Sequence, residues 1–189
     1  MKNPRSINPI PQLKEEIHMD IHAYWPELVT LVNQGLKTNH YVSLATLNPD
    51  GTPHITPIGS LMLKENCQGY FWEEFPKNLP RNLKQNEAVC IMAVNGSKRF
   101  WLKSLITGSF KTWPGIRLYG TAGPKRKGTP EELARWRNRV RWAKPLKGYK
   151  LLWEQGQWVR DLYFTRFEPV LTGRMTQEKM NLFDRLIFF

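Results

Sequence analysis

The sequence predicts a mainly β fold with added helices (α+β), arranged as a small barrel, and three observations predict it. Short apolar or alternating runs recur between turn-forming residues, as in "YVSLATLNPDGTPHITPIGSLML". No strand–helix–strand rhythm and no internal repeat runs through the chain, which argues against a parallel sheet or a solenoid. The 189 residues are 41% hydrophobic and 12% aromatic, enough to bury one core with extensions attached to it.

The elements follow in order. Residues 1–19 are polar and rich in proline, and read as an extended N-terminal arm. In "DIHAYWPELVTLVNQG", Ile21, Tyr24, Trp25, Leu28 and Val32 recur at helical spacing, with Asp20 as cap, Gly35 as terminator and Pro26 in an early turn. Residues 41–47 and 53–63 are strands joined by "NPDG", where Pro49 presets φ and Gly51 accepts a positive φ, so the two arms pair antiparallel. "GYFWEE" reads as a strand, "FPKNLPRNLKQN" as a short helix or turn, and residues 88–94 as a strand. Residues 100–110 and 116–122 read as further strands around "WPGI", and "QWVRDLYFTRFEPVL" as a last long one. The C-terminal tail, 171–189, is expected to be helical or loosely ordered from Thr176 on. All of this is expected to form one domain, 1–189.

A basic helical insert, 124–150, interrupts the strands. Thr129, Pro130 and Glu132 supply a cap, a first-turn proline and a capping-box acid, and Pro145 ends the run. Leu133, Trp136, Val140 and Ala143 form one apolar stripe, with Arg135, Arg137, Arg139 and Arg141 largely outside it and Trp142 roughly opposite. This segment holds ten basic and two acidic residues, so +8 of the net charge of +12 is local. Such a concentration suits an anionic partner, whether a phosphate-bearing ligand, a nucleic acid or an acidic surface; a solvated helix that keeps the protein soluble accounts for it equally well.

Cys67 and Cys90 stand far apart without metal-type spacing and read as free thiols in a reducing compartment. With no apolar run resembling a signal segment or a membrane span, the expectation is a soluble, cytoplasmic protein without membrane contact. His18 and His22 are four residues apart, but no third ligand is evident and no metal is expected. Hydrolase and phosphate-loop motifs are lacking.

The second arm of the hairpin is unusual for a core strand. His54, Thr56, Ile58 and Ser60 share one face, and Ile55, Pro57 and Gly59 the other. Proline brings no N–H to the ladder, so the strand bulges, lies at an edge or spares its backbone for a ligand. A distorted edge strand and a ligand-facing strand both satisfy the pattern.

Together with "GYFWEEFPKNLPRNLKQNEAVCIMAV" and "RLYGTAG", this hairpin resembles the split-barrel flavoproteins of the pyridoxamine 5'-phosphate oxidase-like superfamily. The shared features are an apolar strand ending in Ala-Thr, an Asp-Gly turn, a second strand opening with Pro, and an Asn-Leu-x-x-Asn run from Asn82 to Asn86. The resemblance implies a six-stranded antiparallel split barrel that forms a homodimer with FMN at the interface. It further implies that Lys77, Arg81 and Asn82 hold the FMN phosphate and that Thr56, Pro57 and Ile58 wall the isoalloxazine ring. Charge-assisted donors at a helix start suit a phosphate; solvated surface charge is the plainer account of Lys77 and Arg81. The C-terminal "TGRMTQEKMNLFDRLIFF" lacks the histidine of the pyridoxamine phosphate oxidase substrate signature, which argues against a B6 substrate.

The implied activity is that of an FMN-dependent oxidoreductase with an unassigned small-molecule substrate, and no catalytic side chain is singled out. The alternatives are an oxidoreductase using the deazaflavin F420, whose anionic tail would suit the basic insert, and a non-catalytic flavin- or nucleic-acid-binding module.

Overall fold

The computed structural model describes residues 20–74, 77–154 and 156–177. The arm 1–19 and most of the tail, 178–189, lie outside the described residues.

Helix α1, Ile21–Asn39, starts where Asp20 accepts a hydrogen bond from the His22 N–H and ends at His40, which adopts a left-handed conformation. It runs past Gly35, expected to stop it. A Cβ there would lie 3.2 Å from Ala93, so the glycine lets the helix close on the sheet instead of ending it. Strands β1, Val42–Leu47, and β2, Pro53–Ile58, form the expected hairpin, with Gly51 at φ 81° in the turn. The expected single strand 53–63 breaks after Ile58 and resumes as β3, Met62–Leu63, which pairs with β4, Gln68–Trp72. Next come α2, Asn78–Gln85, and β5, Ala88–Val94.

The expected strand 100–110 is instead a helix, α3, Lys98–Thr107. Ser97 accepts from the Phe100 N–H and Gly108 closes the helix at φ 70°; these two caps, not the apolar run between them, decide the conformation. Strand β6, Gly115–Lys127, outruns its expected end and takes in the first residues of the insert. The remainder of the insert is α4, Pro130–Arg139, a 3-10 turn, Arg141–Ala143, and α5, Lys147–Leu152, before β7, Trp158–Pro169. The capping box forms as expected, but the first helix ends at Arg139, well short of Pro145.

All strand pairs are antiparallel, in the order β2-β1-β5-β6-β7-β4-β3, so the sheet has seven strands where six were expected. Strands β2 and β3 lie at opposite edges, yet only residues 59–61 separate them. Such a link spans at most about 14 Å, whereas a flat sheet of this size would be about 29 Å across. The sheet therefore curls until its edges approach, and because β2 and β3 do not pair, it stays open there. Pro57 is tolerated because β2 is an edge.

Two apolar clusters hold this arrangement. Inside the curl, Leu44, Ile91, Leu118, Phe71 and Leu162 pack with Trp25, Leu28, Leu31 and Val32 of α1. On the other side of β4, Tyr70 and Trp72 meet Trp136, Val140, Ala143 and Tyr149 of the insert, together with Met62 and Val159. Strand β4 is thus covered on both faces, which is why its sequence, "GYFW", is an unbroken apolar run. The insert's expected stripe is the surface that docks.

Candidate functional site

The break between β2 and β3 strands two edges without ladder partners, and side chains take the ladder's place. The Ser60 hydroxyl oxygen accepts from the Trp72 N–H at 3.0 Å, and the Arg139 guanidinium donates to the Leu61 carbonyl at 2.8 Å. Arg139, expected among the solvent-facing arginines, thus reaches back from α4 to the break. Ser60 is committed to this bond, so its hydroxyl serves the fold.

A cleft of about 680 Å³ opens at this break. The last turns of α1 contribute Asn33, Leu36, Lys37 and His40 to its wall, and the broken strand contributes Pro57, Ile58, Gly59 and Ser60. The end of β4 adds Trp72 and Glu74; the insert adds Trp136, Arg139, Val140, Trp142 and Trp153. A Cβ on Gly59 would come within 2.9 Å of the His40 carbonyl, so a glycine is needed where the break passes α1.

Three of the four cleft tryptophans pack on one another: the rings of Trp72 and Trp136 lie 5.5 Å apart, and those of Trp136 and Trp153 6.3 Å apart, edge to face. Trp72 and Trp136 are buried, and among the described residues neither indole N–H has a hydrogen-bond acceptor. Glu74 accepts from the N–H groups of Gln157 and Trp158 and so fixes the start of β7 beside the cleft.

The insert is pinned to the sheet by charge. Glu132 closes the capping box of α4 and also takes two hydrogen bonds from Arg126, at 2.8 and 2.9 Å, and one from Lys64 at 2.6 Å. Arg126 pairs in turn with Asp161 of β7 at 2.6 Å. The Arg126 bonds, with help from Lys64, hold the Glu132 carboxyl at about 2, well below its ordinary 4.5. On the inner side of β4, the fully buried Glu73 is paired with Arg160, which also donates to the Gly123 carbonyl.

Of the residues expected to contact a cofactor, Pro57 and Ile58 are in the cleft wall. Thr56 adjoins them on β2 but does not line the cleft, and its buried hydroxyl has no partner among the described residues. Lys77 and Arg81, at the start and middle of α2, are exposed and do not line the cleft; among the described residues neither forms an ion pair, and no side chain caps α2. Asn82 is buried, and its amide N–H groups go to Thr46 and to Asn48 in the β1–β2 turn. Its side chain ties α2 to the hairpin, leaving an acceptor oxygen free. The α1 residues were not legible as site residues, because the cleft is assembled from four segments distant in sequence; Arg139 was legible only as one of four arginines suited to an anionic partner. His22, of the expected histidine pair, faces Cys67 at 3.4 Å, and His18 lies outside the described residues.

Fold and cleft together define an open, curled antiparallel sheet with an aromatic pocket at its break. A family model described as pyridoxamine 5'-phosphate oxidase matches residues 28–171, and the chain belongs to that family. Solved structures share the fold. An FMN-binding protein from Syntrophomonas wolfei superposes with a TM-score of 0.53 at 16% identity, covering 79% of this chain and 90% of its own. HupZ of Group A Streptococcus gives 0.51 at 18% identity, with 78% and 94% covered, and an F420 reductase gives 0.51 at 18%, with 74% and 94%. A search of curated proteins finds no match.

Proposed function

We propose that the chain is an FMN-dependent oxidoreductase, acting as a cytoplasmic homodimer, with the isoalloxazine ring in the cleft beside Thr56, Pro57 and Ile58. The observation that carries this reading is the cleft at the strand break, walled by the indoles of Trp72, Trp136, Trp142 and Trp153 together with Pro57 and Ile58. An isoalloxazine is flat and apolar on its faces, and its rim of carbonyl oxygens and ring nitrogens accepts hydrogen bonds. The residues present therefore fit it: indole and proline walls give contact area, and Lys37 and Arg139 in the cleft wall are donors for the rim.

Lys77 and Arg81 hold the phosphate, with the uncapped start of α2 adding backbone N–H groups. Asn82 contributes by fixing α2 to the hairpin, since its N–H groups are already engaged. A bound flavin supplies hydride acceptance at N5 and return of the electrons to an acceptor. The chain's own part is to bind, orient and exclude water; Arg139 and Lys37 add positive charge to the cleft, which favours an electron-rich ring.

The sheet's outer face supports the dimer. Ile55, Ala45, Cys90 and Tyr119 lie in one cross-strand row, flanked by Pro57, Ser43 and Met92, and Ile55 is 64% exposed. A row this apolar is a natural contact for a second copy.

The test is flavin binding. Replacing Lys77 and Arg81 by alanine lowers FMN affinity on the order of a hundredfold, while riboflavin, which has no phosphate, binds both proteins alike. A folded double variant with full FMN affinity, or with equal losses for FMN and riboflavin, refutes the assignment. Mass spectrometry of the ligand released from purified protein distinguishes FMN from F420.

A further inference from the structure

The insert carries more than the cleft wall. From residue 133 to residue 153 the chain has seven basic side chains and no acidic one. Val140, Ala143 and Tyr149 are buried in the contact with β4, whereas residues 141, 142 and 144–148 between them are exposed. Those outward residues are of two kinds. Arg137, Arg141, Lys144, Lys147 and Lys150 are exposed cations. Trp142, Leu146, Leu151 and Leu152 are exposed apolar side chains, Trp142 at 69% and Leu151 at 82%. The leucines belong to neither apolar cluster, and Leu151 points away from Tyr149 on the same short helix.

We infer that this face, residues 137–152, docks on an anionic lipid surface, with the cations at the headgroups and Trp142, Leu146 and Leu151 in the boundary below them. No helix among the described residues is long and apolar enough to cross a membrane, so the contact is interfacial. Charge and apolarity together choose the partner. Nucleic acid matches the charge but offers exposed leucines nothing, because interfaces with it are polar. A second copy meeting this face across a two-fold axis would set cation against cation. A bilayer with acidic headgroups satisfies both kinds of side chain. The insert is already rigid through Glu132 and the tryptophan stack, so docking orders little additional chain. Because Trp142 belongs both to this face and to the cleft rim, docking sets that rim at the lipid surface.

The experiment is co-sedimentation of the full chain with vesicles of phosphatidylcholine containing about a quarter phosphatidylglycerol. Pure phosphatidylcholine vesicles and a labelled DNA duplex serve as the other arms. Binding to the acidic vesicles is expected, weakening towards about 0.15 M salt, with little binding to the neutral ones. Reversing Lys144, Lys147 and Lys150 to glutamate lowers it at least about a hundredfold. Replacing Leu146 and Leu151 by serine leaves the charge intact and lowers vesicle binding about tenfold, with circular dichroism and flavin affinity unchanged. Three results overturn the inference: no binding of wild type to acidic vesicles at low salt, equal vesicle binding by the serine variant, or a serine variant that turns a dimer into a monomer by light scattering. DNA binding tighter than vesicle binding, lost with the lysines and indifferent to the leucines, also overturns it, in favour of a nucleic-acid surface.

Discussion

Glutamine in place of Glu132 tests how the insert is held. Glutamine keeps the capping box, because its side-chain oxygen still accepts from the Thr129 N–H, so the substitution removes charge while leaving the helix start in place. The Glu132 side chain is 8% exposed and meets two cations, each about a third exposed. A carboxyl held at about 2 against an ordinary 4.5 represents about 3 kcal/mol of stabilisation. Screening at the partly solvated Lys64 and Arg126 reduces this to about 2 kcal/mol. Asp161 still neutralises Arg126 in the variant, which keeps the loss below that of a fully orphaned buried charge. The melting temperature should fall by about 4–8 °C, and the urea midpoint should fall with an unchanged slope. The folded-state pKa lies below the unfolded one, so this contribution is complete above about pH 4.5 and is lost as pH falls towards 2. The gap between wild type and variant should therefore be full at pH 6 and clearly narrower at pH 3. A loss under about 0.5 kcal/mol, or a gap that does not change with pH, would refute the view that this ion cluster anchors the insert.

Other outcomes follow from single contacts. Gly120 lies at a register shift between β6 and β7, and a Cβ there would sit 1.9 Å from the Tyr163 carbonyl oxygen; Gly120→Ala should cost about 3 kcal/mol in urea unfolding, and a neutral result would mean that the strand pair yields. Ile55→Asp places a charge in the exposed row on the outer sheet face and should convert the proposed dimer to monomer by sedimentation, leaving the circular dichroism spectrum intact.

Local chemistry was legible in the chain wherever a short stretch determines its own conformation. The "NPDG" turn, the Asp20 cap and the Thr129–Glu132 capping box all form as their residue types require, since each closes hydrogen bonds within a few residues. The insert's stripe of Leu133, Trp136, Val140 and Ala143 is legible for the same reason: helical periodicity is local. Residues 100–110 carry the pattern of a strand yet lie largely in a helix, because an apolar run suits either and the caps Ser97 and Gly108 decide between them. Gly35 has the residue type of a helix terminator, but what the missing side chain serves is a close approach to Ala93, 58 positions on. The same holds for the cleft: Lys37, Pro57, Trp72 and Arg139 become neighbours only when the sheet curls until its edges approach, and the curl follows from the pairing of β2 and β3 with different partners. Arg139 shows the limit most plainly, since sequence places it on a charged helix face, while the carbonyl it satisfies exists as an unpaired acceptor only because a strand breaks far earlier in the chain. Hydrogen bonds that close within a turn are written in the order of residues, whereas those that close across a break depend on which strands pair, and tertiary packing alone decides that.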